Sequence, residues 1–138
     1  MANKRRVMIV DDDDDIRITI KQILEKNGYK VYDFDNGYDC LKMLENGKKP
    51  TLIVLDIMMP LMSGWEIQRR LQAHPRWRKI PIIFLTGRTT NIAEEMYERY
   101  GIEYIKKPFS LSEFKESIKR AILTKHEYLK QREKRVYC

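Results

Sequence analysis

The 138-residue sequence predicts an α/β fold in which five parallel strands alternate with five helices. Three observations predict it: five short apolar runs, amphipathic stretches between them, and glycines where helices give way to strands. Parallel neighbours need a crossover connection, which is usually a helix. The alternation therefore predicts a single sheet with helices on both faces.

The strands are predicted from runs rich in Val, Ile and Leu. The runs at residues 6–10, 52–55 and 80–85 are nearly continuous in apolar residues, which is typical of strands buried on both faces. Two further runs, at 30–34 and 103–105, complete the set of five.

The first and last helices are predicted from apolar residues at i, i+4, i+7 and i+8, which form one stripe. The two sets are Ile16, Ile20, Ile23 and Leu24, and Phe114, Ile118, Ala121 and Ile122. Helix starts are predicted at Asp13, at Asn91 and at either Ser110 or Ser112, and C-terminal caps at Gly28, Gly47 and Gly101. The helical pattern weakens after residue 123, so the last helix either continues or frays there.

Length and composition favour one domain with a packed core, because 43% of the residues are apolar and 34% are charged. Cys40 and Cys138 are too far apart to suggest a disulfide framework or a zinc site, and His74 and His126 suggest no metal site. Apolar runs are too short to cross a membrane. The apolar run that follows the basic start is cut off after four residues by five aspartates, so we expect no signal peptide. We expect a cytoplasmic protein.

The net charge of +7 raises nucleic acid as a partner. Residues 125–138 contain five cations against two carboxylates, which leaves only +4 for the other 124 residues. A basic tail is a weaker signal than a basic face. Nucleic acid is therefore not the expected partner of this chain alone.

Polar side chains follow four of the predicted strands. Asp11 and Asp12 follow the first strand, Asp56 the third, Thr86 the fourth and Lys107 the fifth. Ligands of open parallel sheets bind at the carboxyl ends of the strands, so these groups are expected to meet there. Converging carboxylates need a cation, and oxygen ligands select a hard one such as Mg²⁺. A carboxylate can also attack phosphorus and form an aspartyl phosphate.

Four segments in this order resemble the receiver domain of two-component response regulators. They are residues 10–13 (VDDD), 55–60 (LDIMMP) together with Gly64, 85–87 (LTG) and 104–109 (YIKKPF). Each is weak alone, but four at successive strand ends form a specific pattern. The resemblance covers residues 4–124 and leaves 125–138 as a basic helical extension or linker. It implies a three-layer, flavodoxin-like (βα)5 fold with strand order 2-1-3-4-5.

The resemblance also implies residue roles. Asp56 matches the phosphoacceptor, and Asp11 and Asp12 match the acidic pair, with Asp12 binding Mg²⁺ directly and Asp11 through water. The backbone carbonyl of Met58 matches a third protein ligand, and Mn²⁺ is the alternative ion. Thr86 matches the switch hydroxyl and Lys107 the phosphate-binding lysine.

Tyr104 matches the switch aromatic, and the Lys107–Pro108 peptide bond is cis in the family. The residue after the switch threonine is usually alanine, whereas here it is Gly87, which leaves room beside the phosphate. Met58 and Arg88 stand at the two positions that tune phosphate lifetime. A bulky apolar residue and a long cation there predict slow self-dephosphorylation, since both hinder the attacking water.

The implied function is a signalling switch rather than a turnover enzyme. A histidine kinase or phosphotransfer protein would phosphorylate Asp56, and the face formed by helix four, strand five and helix five would control an effector, an output domain or a phosphorylation-dependent homodimer. A calcium loop at Asp11 fails because Ile16 stands where glycine is required. An aspartate-dependent phosphatase lacks its second acid, because that position is Met58. A docking module without phosphorylation, and nucleic-acid binding through the basic tail, remain the alternatives.

Overall fold

The computed structural model describes residues 5–87, 91–100 and 102–137, and its centre is a five-stranded parallel sheet. The strands are β1 (Arg6–Val10), β2 (Lys30–Phe34), β3 (Leu52–Asp56), β4 (Ile82–Thr86) and β5 (Glu103–Lys106). The helices are α1 (Asp14–Lys26), α2 (Gly37–Glu45), α3 (Gly64–Ala73), α4 (Asn91–Tyr100) and α5 (Leu111–Tyr137). A 3-10 turn, Trp77–Lys79, precedes β4.

The strand order is β2-β1-β3-β4-β5, and every neighbouring pair is parallel. This confirms the predicted fold class and order. β1 and β3 are neighbours, with Val10 opposite Leu55. Asp11, which follows β1, and Asp56, the last residue of β3, therefore emerge side by side at the edge where the strands end.

Alternating strand residues face two separate apolar cores. On one face, Met8, Ile53 and Phe84 pack with α2 and α3. On the other face, Ile9 and Val54 pack with α1 and α5, through residues that include Ile20 and Phe114. Burying each of these large side chains contributes about 1.5–3 kcal/mol. The sheet is therefore a stable platform for the loops at its edges.

The fourth strand begins later than the sequence predicts. The apolar run starts at Ile80, but its backbone N–H donates to Trp77 O at 3.0 Å and closes the 3-10 turn. Pro81 follows, and proline has no N–H to give to a sheet. Pairing therefore begins at Ile82 and continues through Thr86, one residue beyond the predicted end.

Four of the predicted caps are confirmed, whereas Asn91 lies inside its helix rather than at the cap position before it. The carboxylate of Asp13 accepts from the N–H groups of the first turn of α1, and the Ser110 hydroxyl accepts from Glu113 N at 3.1 Å, so Ser110 rather than Ser112 caps α5. Gly28 and Gly47 have φ of +87° and +89°, which glycine adopts most readily. Asn91 is the first residue of α4. Gly101 lies outside the described residues.

The last helix continues far beyond the sheet. With 27 residues α5 is about 40 Å long, whereas a five-residue strand spans about 17 Å. The open question of whether residues after 123 continue the helix is thus answered in favour of continuation to Tyr137. Among the described residues, no helix has the length and apolar character that spanning a membrane requires.

Candidate functional site

Three carboxylates meet at the carboxyl edge of the sheet. One oxygen from each of Asp11, Asp12 and Asp56 lies within 4.8 Å of the others. The sheet ladder continues past both strands, because Asp11 N donates to Phe34 O and Ile57 N donates to Leu85 O, each at 3.1 Å. These bonds fix the backbone at both aspartates, so the cluster is positioned by the sheet rather than by a free loop.

The three carboxylates differ in their surroundings. Asp11 is fully buried, and Asp56 is only 6% exposed. Asp12 is exposed at the mouth of the cluster. One oxygen of Asp11, Oδ1, accepts from Asp13 N at 2.9 Å. A buried carboxylate requires such partners, because an unpaired buried charge is costly.

Lys107 is the cation that reaches the buried pair. Its Nζ lies 2.9 Å from Asp11 Oδ2 and 3.7 Å from Asp56 Oδ1. The backbone places it there: Lys107 N donates to Thr86 O at 2.7 Å, and the Lys107–Pro108 peptide bond is cis, as the resemblance implies. One ammonium group thus serves two buried carboxylates.

This arrangement changes the pKa of Asp56. Burial, together with repulsion from Asp11, raises the pKa of Asp56 to about 7, although Lys107 and the Met58 N–H oppose the rise. Met58 N donates to Asp56 Oδ1 at 3.3 Å. The carboxyl therefore holds its proton to a higher pH than a free aspartate does, and further positive charge would stabilise its ionised form.

The donor set fits a hard divalent cation. The cluster offers oxygen donors alone, and its two buried members share one ammonium group. Six oxygen ligands around Mg²⁺ are commonly supplied by a few carboxylates, a carbonyl and water. The exposed Asp12 leaves the cluster open to solvent on that side. The pKa of Asp56, which is raised by burial and by repulsion from Asp11, points the same way, because both effects disfavour uncompensated negative charge.

Thr86 and Tyr104 lie on one face of the sheet. Tyr104 pairs with Phe84, and Thr86 follows two residues later on β4, so their side chains point to the same side. Thr86 is buried, and the half-buried Tyr104 packs against the core on the α2 and α3 side. Leu85, beside Thr86, is the partner of Asp56 in the ladder.

The comparison with protein families agrees with this geometry. Residues 7–119 match the model of the response regulator receiver domain. The chain belongs to the response regulator receiver family. The receiver resemblance drawn from the four sequence segments is therefore confirmed.

Curated relatives include both regulators and a kinase. The alkaline phosphatase synthesis transcriptional regulatory protein PhoP of Bacillus subtilis is 34% identical over 126 residues, which are 89% of this chain and 50% of that protein. Histidine kinase P4 of Formosa agariphila is 34% identical over 120 residues, which are 86% of this chain and 9% of the kinase. The chain spans half or less of the length of these relatives.

Solved receiver structures share the fold. The receiver domain of a signal transduction histidine kinase from Syntrophus aciditrophicus is 29% identical with a TM-score of 0.75, over 86% of this chain and 89% of that one. The receiver domain of a sensor histidine kinase from Pseudomonas aeruginosa is 25% identical with a TM-score of 0.76, over 87% and 98%. That second structure has a magnesium ion coordinated in its active-site cleft.

Two residues at the receiver site were missed by sequence reasoning. Arg17 donates to the backbone carbonyl of Asp11 at 2.8 Å and also contacts Asp14 and Asp33, so it braces the acidic loop. Its spacing from Asp14, three positions along one helix, was the available signal. Gly64 was noted only as part of the motif, although it lies directly against the backbone of Asp56.

The remaining predicted site residues differ in what the structure says of them. Met58 is exposed beside Asp56, and its carbonyl as a metal ligand remains a prediction. Arg88 lies outside the described residues, so its influence on phosphate lifetime also remains a prediction. Among residues of the described ranges, the predicted acidic cluster and Lys107 are brought together by the fold.

Proposed function

We propose that Asp56 accepts a phosphoryl group from a phosphohistidine of a histidine kinase or phosphotransfer protein. An oxygen of Asp56 attacks phosphorus, a P–O bond forms, and the P–N bond to the histidine breaks as the imidazole leaves. The observation that supports this most is the shared lysine: Lys107 lies within reach of both Asp11 and Asp56. Lys107 can therefore offset charge on a phosphorylated Asp56 without a further change of the fold.

Mg²⁺ would be held by Asp11, Asp12, Asp56 and the backbone carbonyl of Met58. When bound, it supplies positive charge that offsets the negative charge of the phosphoryl oxygens. The protein residues do the rest. Asp56 provides the attacking oxygen, Lys107 binds a phosphoryl oxygen, and the Thr86 hydroxyl donates to another.

A partner would recognise the phosphorylated state at a surface on the far side of Thr86. Movement of Thr86 toward the phosphate leaves space on the sheet face that it shares with Tyr104. Rotation of Tyr104 into that space repacks the surface formed by α4, β5 and α5. Phosphorylation then shifts the population between two arrangements, and an effector, an output domain or a second copy binds one of them.

The protein is a receiver rather than a turnover enzyme of the phosphatase type. We extend the proposal to its own phosphate: the site assists both its phosphorylation and its slow hydrolysis, and each phosphoryl group is used once as a signal. The receiver is proposed to comprise residues 4–124, with 125–138 as an extension of α5. We place it in the cytoplasm, where ATP-dependent kinases operate.

Intact mass spectrometry tests the proposal. The protein is incubated with a small-molecule phosphodonor and Mg²⁺, beside Asp56→Asn and the matched control Asp15→Asn, which removes an exposed carboxylate outside the cluster. We expect one phosphoryl adduct on the parent and on Asp15→Asn, dependent on Mg²⁺, and none on Asp56→Asn. An adduct that persists in Asp56→Asn would reject Asp56 as the acceptor.

If the parent protein gains no adduct, a phosphate mimic provides a second test. Beryllofluoride with Mg²⁺ should raise the thermal midpoint of the parent and leave that of Asp56→Asn unchanged, because the mimic needs the carboxylate. If neither phosphodonor nor mimic acts on the folded parent, the phosphorylation-independent docking module becomes the better account.

A further inference from the structure

Nine exposed cations lie along the edge of the sheet where the strands begin, opposite the aspartate cluster. All parallel strands start at one edge, so the segments that lead into β1, β2, β3 and β4 are brought together there. We call this group the basic edge. Its members are Arg5, Arg6, Lys26, Lys30, Lys48, Lys49, Arg76, Arg78 and Lys79.

The basic edge forms no ion pairs with the carboxylates of the described residues. Across the described residues, none of the nine forms an ion pair. The carboxylates nearest in the chain are few. Glu25 and Glu45 lie in the last turns of α1 and α2 at this edge, and Glu103 at the start of β5 already pairs with Arg120 at 3.0 Å. The edge therefore presents an unbalanced positive potential to solvent.

Tyr32 organises part of the basic edge. The ammonium groups of Lys30 and Lys48 lie 5.5 and 5.3 Å from the centre of its ring. The hydrogen bond and charge of Lys30, with the charges of Lys48 and Arg6, lower the pKa of the Tyr32 hydroxyl. Two cations from separate segments are thus held together around one aromatic ring.

The chemistry of this edge fits phosphates better than lipid or protein. The exposed large apolar residues of the described chain, such as Met58, Leu61 and Leu123, all lie outside the segments that form the edge. Apolar side chains that insert would strengthen binding to a membrane surface, and an apolar centre is typical of a protein interface; the basic edge offers neither. A row of unpaired Arg and Lys is instead typical of contacts to a nucleic-acid backbone.

We propose that the basic edge binds the phosphate backbone of duplex DNA without reading its base sequence. The starts of β2, β1, β3 and β4 span about 14 Å at the usual strand spacing, and long side chains extend that reach. Only Lys26 of the nine belongs to an α-helix, as its last residue. No recognition helix is therefore built from these residues, and contacts to base edges are not expected.

This proposal is independent of phosphorylation at Asp56, which is at the other end of the strands. It also revises the expectation that nucleic acid is not a partner of this chain alone. The nine cations come from four separate segments, so they form no cluster along the sequence. The fold brings these cations together. The proposal therefore does not depend on the basic tail, residues 125–138, on which the earlier expectation rested.

Fluorescence anisotropy with a labelled duplex of about 20 base pairs, titrated between about 50 and 200 mM salt, tests the proposal. The edge variant is the double substitution Lys48→Glu with Arg76→Glu, both exposed and outside the strands and α-helices. The control is Lys106→Glu with Lys115→Glu, two exposed cations at or near the opposite edge that form no ion pair with any residue the structure describes. Both variants change the net charge equally.

We expect the parent to bind with a slope of log affinity against log salt of about −3.6, which corresponds to about four phosphates. The edge variant should lose at least about tenfold in affinity and about 1.8 in slope, whereas the control should stay within about threefold of the parent. A duplex of shuffled sequence should bind equally well. Thermal midpoints measured alongside show whether both variants are folded.

Three results would overturn the proposal. Equal weakening in both variants would mean that net charge, rather than the edge, governs binding. Absence of binding by the parent at the lowest salt would remove DNA as a ligand. Binding to vesicles that contain anionic phospholipid, without binding to DNA, would assign the edge to a membrane surface instead.

Discussion

Gly64 lies directly against the backbone of Asp56: a Cβ atom at position 64 would fall 2.3 Å from the Asp56 carbonyl oxygen. Gly64 N also donates to Ile57 O at 2.9 Å, which draws the start of α3 onto the end of β3. The absence of a side chain at Gly64 thus allows the helix to pack where the aspartate cluster is formed. Backbone atoms cannot yield as a flexible side chain can, so this contact restricts position 64 to glycine.

We expect Gly64→Ala to destabilise the protein by about 1–3 kcal/mol, since the methyl group must displace the backbone at Asp56. Urea unfolding measures this. Gly87→Ala is the control, because a Cβ there would meet no atom of the described residues within 4 Å. The control should be neutral or more stable by about 0.4–1 kcal/mol, through a smaller unfolded ensemble. Equal effects of the two substitutions would contradict the close approach of Gly64.

The raised pKa of Asp56 predicts a stability that falls as pH rises. The folded protein holds this proton up to about pH 7, whereas the unfolded chain releases it near the ordinary value of 3.8. Between these values the folded state binds more protons, so the free energy of unfolding decreases with rising pH, by at most about 4 kcal/mol from this group. Below the ordinary value the contribution is complete, and above pH 7 it is lost.

Asp56→Asn isolates this contribution, because other carboxylates titrate in both proteins. Without metal, the variant should be more stable than the parent at about pH 8, and this difference should shrink toward about pH 4. Mg²⁺ should raise the thermal midpoint of the parent at the higher pH and change that of the variant much less. A stability difference that does not vary with pH would contradict the raised pKa.

Removal of Lys107 should slow phosphorylation sharply. Lys107→Met leaves Asp11 and Asp56 without their shared ammonium group, so the buried charge rises and the phosphoryl group loses a partner. We expect the rate of adduct formation to fall by about a hundredfold or more. Lys106→Met, at the exposed neighbour, should react like the parent. Normal rates in Lys107→Met would remove the lysine from the mechanism.

The apolar side chain of Met58 predicts slow hydrolysis of the aspartyl phosphate at Asp56. Met58 is 78% exposed, and its backbone N–H donates to Asp56 Oδ1 at 3.3 Å, so an apolar side chain is attached next to the carboxylate proposed to carry the phosphate. Met58→Asn replaces an apolar group by one that can hydrogen-bond that water, and we expect faster decay of the phosphorylated protein. Leu61→Asn, a second exposed apolar position of the same loop, is the control. If Met58→Asn decays at the parent's rate, the apolar side chain does not protect the phosphate.

The sequence was sufficient to predict all five strands and their order. Continuous apolar runs identify buried strands, and the order followed from a family resemblance rather than from periodicity. The start of β4 was the exception, because Ile80 is apolar and buried but belongs to a turn, and only the following Pro81 hints at this.

The site was predictable where chemistry follows a strand directly, as for Asp11, Asp56 and Lys107. Contacts between residues that are far apart in the sequence were not predictable. No local pattern shows that Gly64 touches Asp56, or that Arg17 reaches the carbonyl of Asp11. The basic edge was missed for the same reason, since its cations are neighbours only after the strands have aligned.

The most direct measurement reads the modified residue itself. The protein is phosphorylated with a small-molecule donor and Mg²⁺, reduced with borohydride, which converts an aspartyl phosphate to homoserine, and digested for peptide sequencing by mass spectrometry. The account predicts homoserine at position 56 alone, and none when Mg²⁺ is omitted. Homoserine at position 11 or 12, or an adduct that yields no homoserine, would contradict it.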